Sequence, residues 1–220
     1  MSHHLFDYDR SLRIGVPEAI YCEGKKKQSL INLLLEVLER AKNPIFLTKL
    51  KEDTYKSLPK RIQSKIDYDS LSQTGIINKK KISSVKGFSV SVVSAGTSDI
   101  SISAEVERAL YCFGISSKTF NDVGVAAPWR LQNSLKEINA NDLIIVIAGW
   151  DAALLSVIGG LSGKIIVGVP TSVGYGVARS GYSALASMLS SCSSGIPIMN
   201  IDNGYGAACF AMRIAQNLKR

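Results

Sequence analysis

The chain has 220 residues, 46% hydrophobic and 20% charged, a composition that fits a folded globular protein and excludes a disordered one. No apolar run reaches the roughly 18 residues a membrane span needs, and the first ten residues carry no apolar signal core, so a cytoplasmic protein with no membrane partner is expected. The formal charge of +8 is uneven, with 17 Lys+Arg against 10 Asp+Glu in residues 1–87 and 9 against 8 in residues 88–220. No aromatic residues interleave the lysines to stack bases, so a solvated basic surface is expected there and no nucleic-acid partner.

In chain order, Leu30, Leu33, Leu34, Val37 and Leu38 recur at helical spacing and predict a helix over residues 28–40. A short strand over 44–47 and a polar helix over 53–64 follow. Residues 70–87 read as connecting structure, with a hairpin through Ile76-Ile77. From residue 88 the pattern alternates regularly. Strands are expected at 88–94, 116–121, 143–148, 165–169 and 196–201. Helices are expected at 100–113, 128–138, 152–161, 182–191 and 205–218, and Pro128 suits a first helical turn. Five strand–helix units with short links predict a flavodoxin-like three-layer α/β domain over 88–220 with a five-stranded parallel sheet. A smaller N-terminal α/β extension, residues 1–87, precedes it. The ligand cleft of such a sheet lies at the carboxyl ends of its first and third strands.

That rule selects four loops. Gly96 permits a tight turn after the first strand, where Thr97, Ser98 and nearby amides can face an anion. Ser98 or Asp99 can equally be a plain helix cap. Asp151, after the third strand, is either an N-cap or a carboxylate in the cleft. After the fourth strand comes Thr171-Ser172-Val173-Gly174-Tyr175-Gly176, a loop of small residues that is costly to order without a ligand. Asn203, after the fifth strand, can bond a substrate or cap the last helix.

Cys22, Cys112, Cys192 and Cys209 lie far apart without CxxC spacing, so neither a metal site nor a disulfide is expected. Cys22, Cys112 and Cys209 read as packing residues. Cys192, among serines at a helix end, is either a small buried cysteine or a thiol that needs a nearby positive group such as Arg130 or Arg179 to become reactive. Both histidines stand at positions 3 and 4, so a histidine-based centre inside the fold is not expected.

Taken together, several motifs resemble one family. They are Gly96-Thr97-Ser98-Asp99, Asp122-Val123-Gly124-Val125-Ala126, Val169-Pro170-Thr171-Ser172-Val173-Gly174-Tyr175-Gly176, Ser191-Cys192, Ser194-Gly195 and Asn200-Ile201-Asp202-Asn203-Gly204. Arg13-Ile14-Gly15, Pro17-Glu18 and Glu23-Gly24-Lys25 match as well. The family is that of LarB, pyridinium-3,5-biscarboxylic acid mononucleotide synthase, which is related to aminoimidazole ribonucleotide carboxylase. The resemblance implies a homo-oligomeric carboxylase and hydrolase of nickel-pincer cofactor biosynthesis. Its partners would be nicotinic acid adenine dinucleotide and carbon dioxide or bicarbonate. No tightly bound cofactor is implied, and Mg2+ is the one ion expected to assist.

The resemblance implies Cys192 as nucleophile, Asp99 or Asp151 as base, and Thr97, Ser98, Arg130 and the 171–176 loop as anion holders. Two departures stand out. Trp129-Arg130 replaces a His-Arg pair, and Asp151 replaces a glutamate, which shortens that side chain by one methylene. An aminoimidazole ribonucleotide carboxylase or mutase, or a non-catalytic nucleotide-binding protein, are the competing readings.

Overall fold

The computed structural model describes residues 5–218, and within them the chain builds two sheets. The first is mixed. After a short helix α1 (Arg10–Ile14), strand β1 (Ala19–Tyr21) runs parallel to β2 (Ile45–Thr48). Helix α2 (Lys27–Arg40) joins them and buries Leu30, Leu33, Leu34 and Val37 on one face, as the helical spacing requires. The polar helix expected over 53–64 is two short ones, α3 (Glu52–Lys56) and α4 (Lys60–Gln63). Pro59 lies between them; it has no N–H to donate and forces the residue before it out of helical geometry.

Strands β3 (Ile66–Asp69) and β4 (Thr74–Ile77) form an antiparallel hairpin, and the sheet order is β1-β2-β4-β3. The hairpin turns at residues 70–73. The expected hairpin thus runs through Ile76 and Ile77, which are buried within β4, and residues 74–77 are strand rather than connecting structure. Gly75 is required in this strand, because a Cβ there would meet Ile66 Cγ2 at 2.6 Å.

The second sheet is fully parallel, with strands β5 (Val85–Ser94), β6 (Ile115–Phe120), β7 (Leu143–Ala148) and β8 (Ile165–Pro170) in the order β6-β5-β7-β8. Its helices are α5 (Ile100–Cys112), α6 (Pro128–Ile138), α7 (Ala153–Leu161), α8 (Tyr182–Leu189) and α9 (Gly204–Asn217). Side chains alternate along β7: Ile145 and Ile147 pack toward α5 and α9, while Ile144 and Val146 pack toward α6, α7 and α8. Small Ala207, Ala208, Ala211 and Ala215 let α9 lie close against α5. Phe46 and Ile76 of the mixed sheet join the same core, so α5 and α9 are sandwiched between the two sheets.

The fifth strand, expected over 196–201, is not a strand. It is one parallel bridge, Gly168 with Ile198, held by the Gly168 N–H on the Pro197 carbonyl at 3.0 Å and the Met199 N–H on the Gly168 carbonyl at 2.8 Å. Pro197 has no N–H, so the ladder cannot extend, and the segment stays at the sheet edge where proline is tolerated. The chain steps from β5 outward to β6, then crosses to β7 on the other side. The crevice above the ends of β5 and β7 is the switch point of the sheet.

Candidate active site

A cavity of about 490 Å³ opens at that switch point, walled by the loops after β5, β6, β7 and β8. Asp99 organises it. The side chain is only 3% exposed. Its Oδ2 accepts the Gly96 N–H at 2.9 Å and its Oδ1 accepts the Thr171 hydroxyl at 2.6 Å. The Gly149 backbone donates to it as well. One carboxylate thus ties the loops after β5, β7 and β8 together. Burial pushes its pKa up, against the opposing pull of the Thr171, Gly96 and Gly149 donors.

Close approach requires glycine at Gly149, where a Cβ would meet the Val173 carbonyl at 2.5 Å and Thr171 Oγ1 at 2.7 Å. The turn that follows is strained. Trp150 and Ala152 both have left-handed backbones, φ 56 and 51, which non-glycine residues rarely adopt. The Trp150 N–H donates to the Val173 carbonyl at 2.9 Å, and its ring meets Tyr175 edge-on at 4.7 Å. Between the two left-handed residues, Asp151 lines the cleft while its Oδ1 accepts the Ala153 N–H at 3.3 Å. Ala152, not Asp151, holds the N-cap position of α7, so Asp151 stands one residue before the cap and lines the cleft.

The structure brings Gly96, Thr97, Ser98, Asp99 and Asp151 to the lining of one cleft and adds Asp122, a residue the loop argument did not single out. Asp122 also has a left-handed backbone, φ 58, and its carboxylate pairs with the Arg130 guanidinium at 2.8 Å. Arg130 itself is not among the residues lining the cleft. No lysine or arginine is among the residues lining the cleft, whereas three aspartates are.

The other predicted residues are more dispersed. Thr171 is fully buried and spends its hydroxyl proton on Asp99, so its side chain is not an anion holder. Ser172 is exposed, and its N–H donates to Asp202 Oδ1 at 2.8 Å. Gly174 has φ 143, and a Cβ there would strike the Ala178 carbonyl at 2.7 Å. Tyr175 is 74% exposed at the cleft mouth, and Gly176 has φ 59. Asn203 caps α9 through the Gly206 N–H at 2.8 Å and lines a different cavity.

Cys192 is exposed and does not line the cleft of its own chain. On either side of it, Ser191 Oγ lies 2.7 Å from Ser156 Oγ, and the Ser193 hydroxyl donates to the Ser156 carbonyl at 2.9 Å. The thiol thus sits beside the interior of α7, beyond the first residues of the helix that wall the cleft. Cys22 and Cys112 are buried, as packing residues should be, and burial pushes both thiols up to about 12. Cys209 is half-buried. The two histidines lie outside the described residues. Among the described residues no three Asp, Glu, His or Cys side chains converge to hold a metal ion, and no helix is long and apolar enough to cross a membrane.

Comparison with known families fits this geometry. Residues 1–80 match the LarB/PurE-like N-terminal domain, and residues 89–219 match the AIR carboxylase model. An uncharacterized protein of Methanocaldococcus jannaschii is 38% identical over 219 residues, covering 96% of this chain and 83% of its own. The second match takes in every wall of the cleft, and the family it defines carries carboxylase-type chemistry. The chain belongs to the LarB-related AIR carboxylase family.

Proposed function

We propose that the protein carboxylates the pyridinium ring of nicotinic acid adenine dinucleotide and hydrolyses its phosphoanhydride. The products are pyridinium-3,5-biscarboxylic acid mononucleotide and AMP, for nickel-pincer cofactor biosynthesis. The observation that carries this reading is the acidic, cation-free lining of the cleft, with Asp99, Asp122 and Asp151 on its walls. A permanently cationic ring suits such a wall, since opposite charge stabilises it in a partly dry site. A free aminoimidazole, being neutral, gains less from it.

A pyridinium is itself an electrophile and cannot attack carbon dioxide. Addition of the Cys192 thiolate to a ring carbon forms a C–S bond and converts the ring to a dihydropyridine enamine. The enamine carbon then attacks carbon dioxide, and a C–C bond forms. Asp151, with a carboxylate oxygen not used by Ala153, takes the ring proton. The C–S bond then breaks, thiolate leaves, and aromaticity returns. In a separate step, water adds to a phosphorus of the anhydride and the P–O bond to the other phosphate breaks, releasing AMP and the mononucleotide. Thr97, Ser98 and the amides beside them face the carboxylates of the ring. Among the described residues no three Asp, Glu, His or Cys side chains converge on a cation site, so a magnesium ion would enter with the phosphates.

Cys192 stands outside the cleft of its own chain, and we assign it to the cleft of a second copy. Leu161, Tyr182 and Leu189 are exposed on neighbouring helices and give a homo-oligomer apolar surface to bury. The deciding experiment incubates the protein with the dinucleotide and 13C-bicarbonate and follows products by mass spectrometry. AMP and a mononucleotide heavier by one labelled carboxyl are expected. Carboxylation of aminoimidazole ribonucleotide with the dinucleotide untouched would overturn the proposal.

A further inference from the structure

A second cavity, about 640 Å³, lies between the mixed sheet and the loop that follows the Ile198 bridge. Arg10, Tyr21, Lys49, Glu105, Asn200 and Asn203 contribute to its walls. Its floor is an unusual construction. Glu105 of α5 is 1% exposed, and its carboxylate is bound by residues of the mixed sheet's β2 end: the Thr48 hydroxyl and, at 3.2 Å, Lys49 Nζ. Lys49 also donates to the Asp202 carbonyl at 3.0 Å. Both Lys49 and Asp202 are held in left-handed backbone conformations, φ 52 and 56, which persist only where the surroundings enforce them.

Three acids line this cavity, and two of them are paired with lysines; the third, Asp202, accepts the Ser172 N–H at 2.8 Å through Oδ1. Glu105 is neutralised by Lys49, and Glu23 is paired with Lys51 at 2.7 Å and accepts the Tyr21 hydroxyl at 2.9 Å. Arg10 is the lining cation with no carboxylate paired to it among the described residues, and its fork suits a phosphate. Asn200 and Asn203 accept the Ile201 and Gly206 N–H groups through their side-chain oxygens, so each has its NH2 to offer a ligand. Tyr21 is 52% exposed and presents a ring on which a base can stack.

Position completes the argument. A hollow of about 200 Å³ shares Val173 with the acidic cleft and shares Lys49 and Asp202 with the second cavity, so the three lie side by side. The cleft, at about 490 Å³, lies in the lower half of the roughly 300–1,000 Å³ span of small-molecule sites.

We propose that the second cavity is the subsite for the adenylate half of the dinucleotide, with the phosphoanhydride spanning Ser172 and Val173. This rests on the dinucleotide reading and gives the N-terminal part of the chain a role in binding. AMP and nicotinic acid mononucleotide are the probes, titrated separately by calorimetry into the full chain and into Tyr21→Ala, Arg10→Ala and Trp150→Ala. Tyr21 and Arg10 are exposed, so their loss empties no core.

Tyr21→Ala and Arg10→Ala should each weaken AMP by about tenfold or more and leave the mononucleotide unchanged, and Trp150→Ala should do the reverse. AMP that fails to bind, binds the Tyr21 and Arg10 variants as tightly as the parent, or is displaced by the mononucleotide overturns the subsite. If AMP binding depends on Tyr21 and Arg10 while the dinucleotide is not carboxylated, the subsite stands and the carboxylase reading falls.

Discussion

The Lys49–Glu105 pair is the joint between the two sheets, and its strength can be measured. Lys49→Met keeps the aliphatic stem and removes the ammonium, leaving Glu105 with the Thr48 hydroxyl alone. Stripping a partner from a fully buried ion costs about 3–5 kcal/mol. Here the Lys49 side chain is 27% exposed, so water recovers part of that, and a loss of about 2 kcal/mol is expected. Glu105→Gln keeps a hydrogen bond to Thr48 and should cost about 1 kcal/mol. The double variant has no buried charge to strand, so it should be more stable than the sum predicts, with a coupling of about 1–2 kcal/mol. Urea unfolding of the four proteins reads this out, since 2 kcal/mol moves the midpoint by about 1 M at an ordinary slope. If the two single losses add to the double within about 0.5 kcal/mol, the pair is not a joint and the argument fails.

Two further outcomes follow from the cleft. Burial raises the Asp99 pKa, so the folded state holds a proton that the unfolded chain has released, and stability should fall as pH rises from the ordinary carboxylate range through the folded value. In Asp99→Asn that downward slope should vanish from plots of urea midpoint against pH; equal slopes in parent and variant would contradict it. Gly149→Ala places a methyl against the Val173 carbonyl and Thr171 Oγ1 and should cost about 1–3 kcal/mol while weakening mononucleotide binding, as thermal unfolding and calorimetry would show.

Much of this was legible in the sequence where local rules rule. The α2 face, the buried run of β7 and the glycines of the cleft loops announce themselves through spacing and turn chemistry. The failures have specific causes. Pro59 splits a helix whose polar pattern reads as continuous, and Pro197 reduces an apolar run to a single bridge. Strand β1 is three residues long, too short for a period to show.

At the site, the loops were legible and the bonds among them were not. The resemblance implies Thr171 as an anion holder, but its hydroxyl is spent on a carboxylate 72 residues away. The left-handed Trp150 and Ala152 leave no trace in composition, since neither residue type favours that region. Asp122 entered only through a motif, and nothing local distinguishes it from a turn residue.

Cys192 is where sequence and structure pull hardest on one another, and the conflict is itself testable. The covalent step demands that the thiol touch the ring, yet Ser191 and Ser193 anchor its loop to Ser156, away from the cleft wall. A thiol supplied by a second copy reconciles the proposed covalent step with this anchoring. Cys192→Ser replaces a good nucleophile and leaving group with a poor one, so carboxylation should drop by about a thousandfold or more, roughly 4 kcal/mol of barrier, with binding intact. Cys112→Ser changes a buried packing residue and should leave the rate nearly unchanged.

Asp151→Asn should disable the other half of the same site. If each working site joins Cys192 of one copy to Asp151 of another, co-refolding the two inactive variants at equal ratio regenerates about a quarter of the sites with both groups native. Refolding them apart and mixing only assembled protein should regenerate none. If the co-refolded mixture stays as inactive as its components while the parent, refolded alongside, recovers its rate, then Cys192 serves its own chain or takes no part, and the shared site must be abandoned.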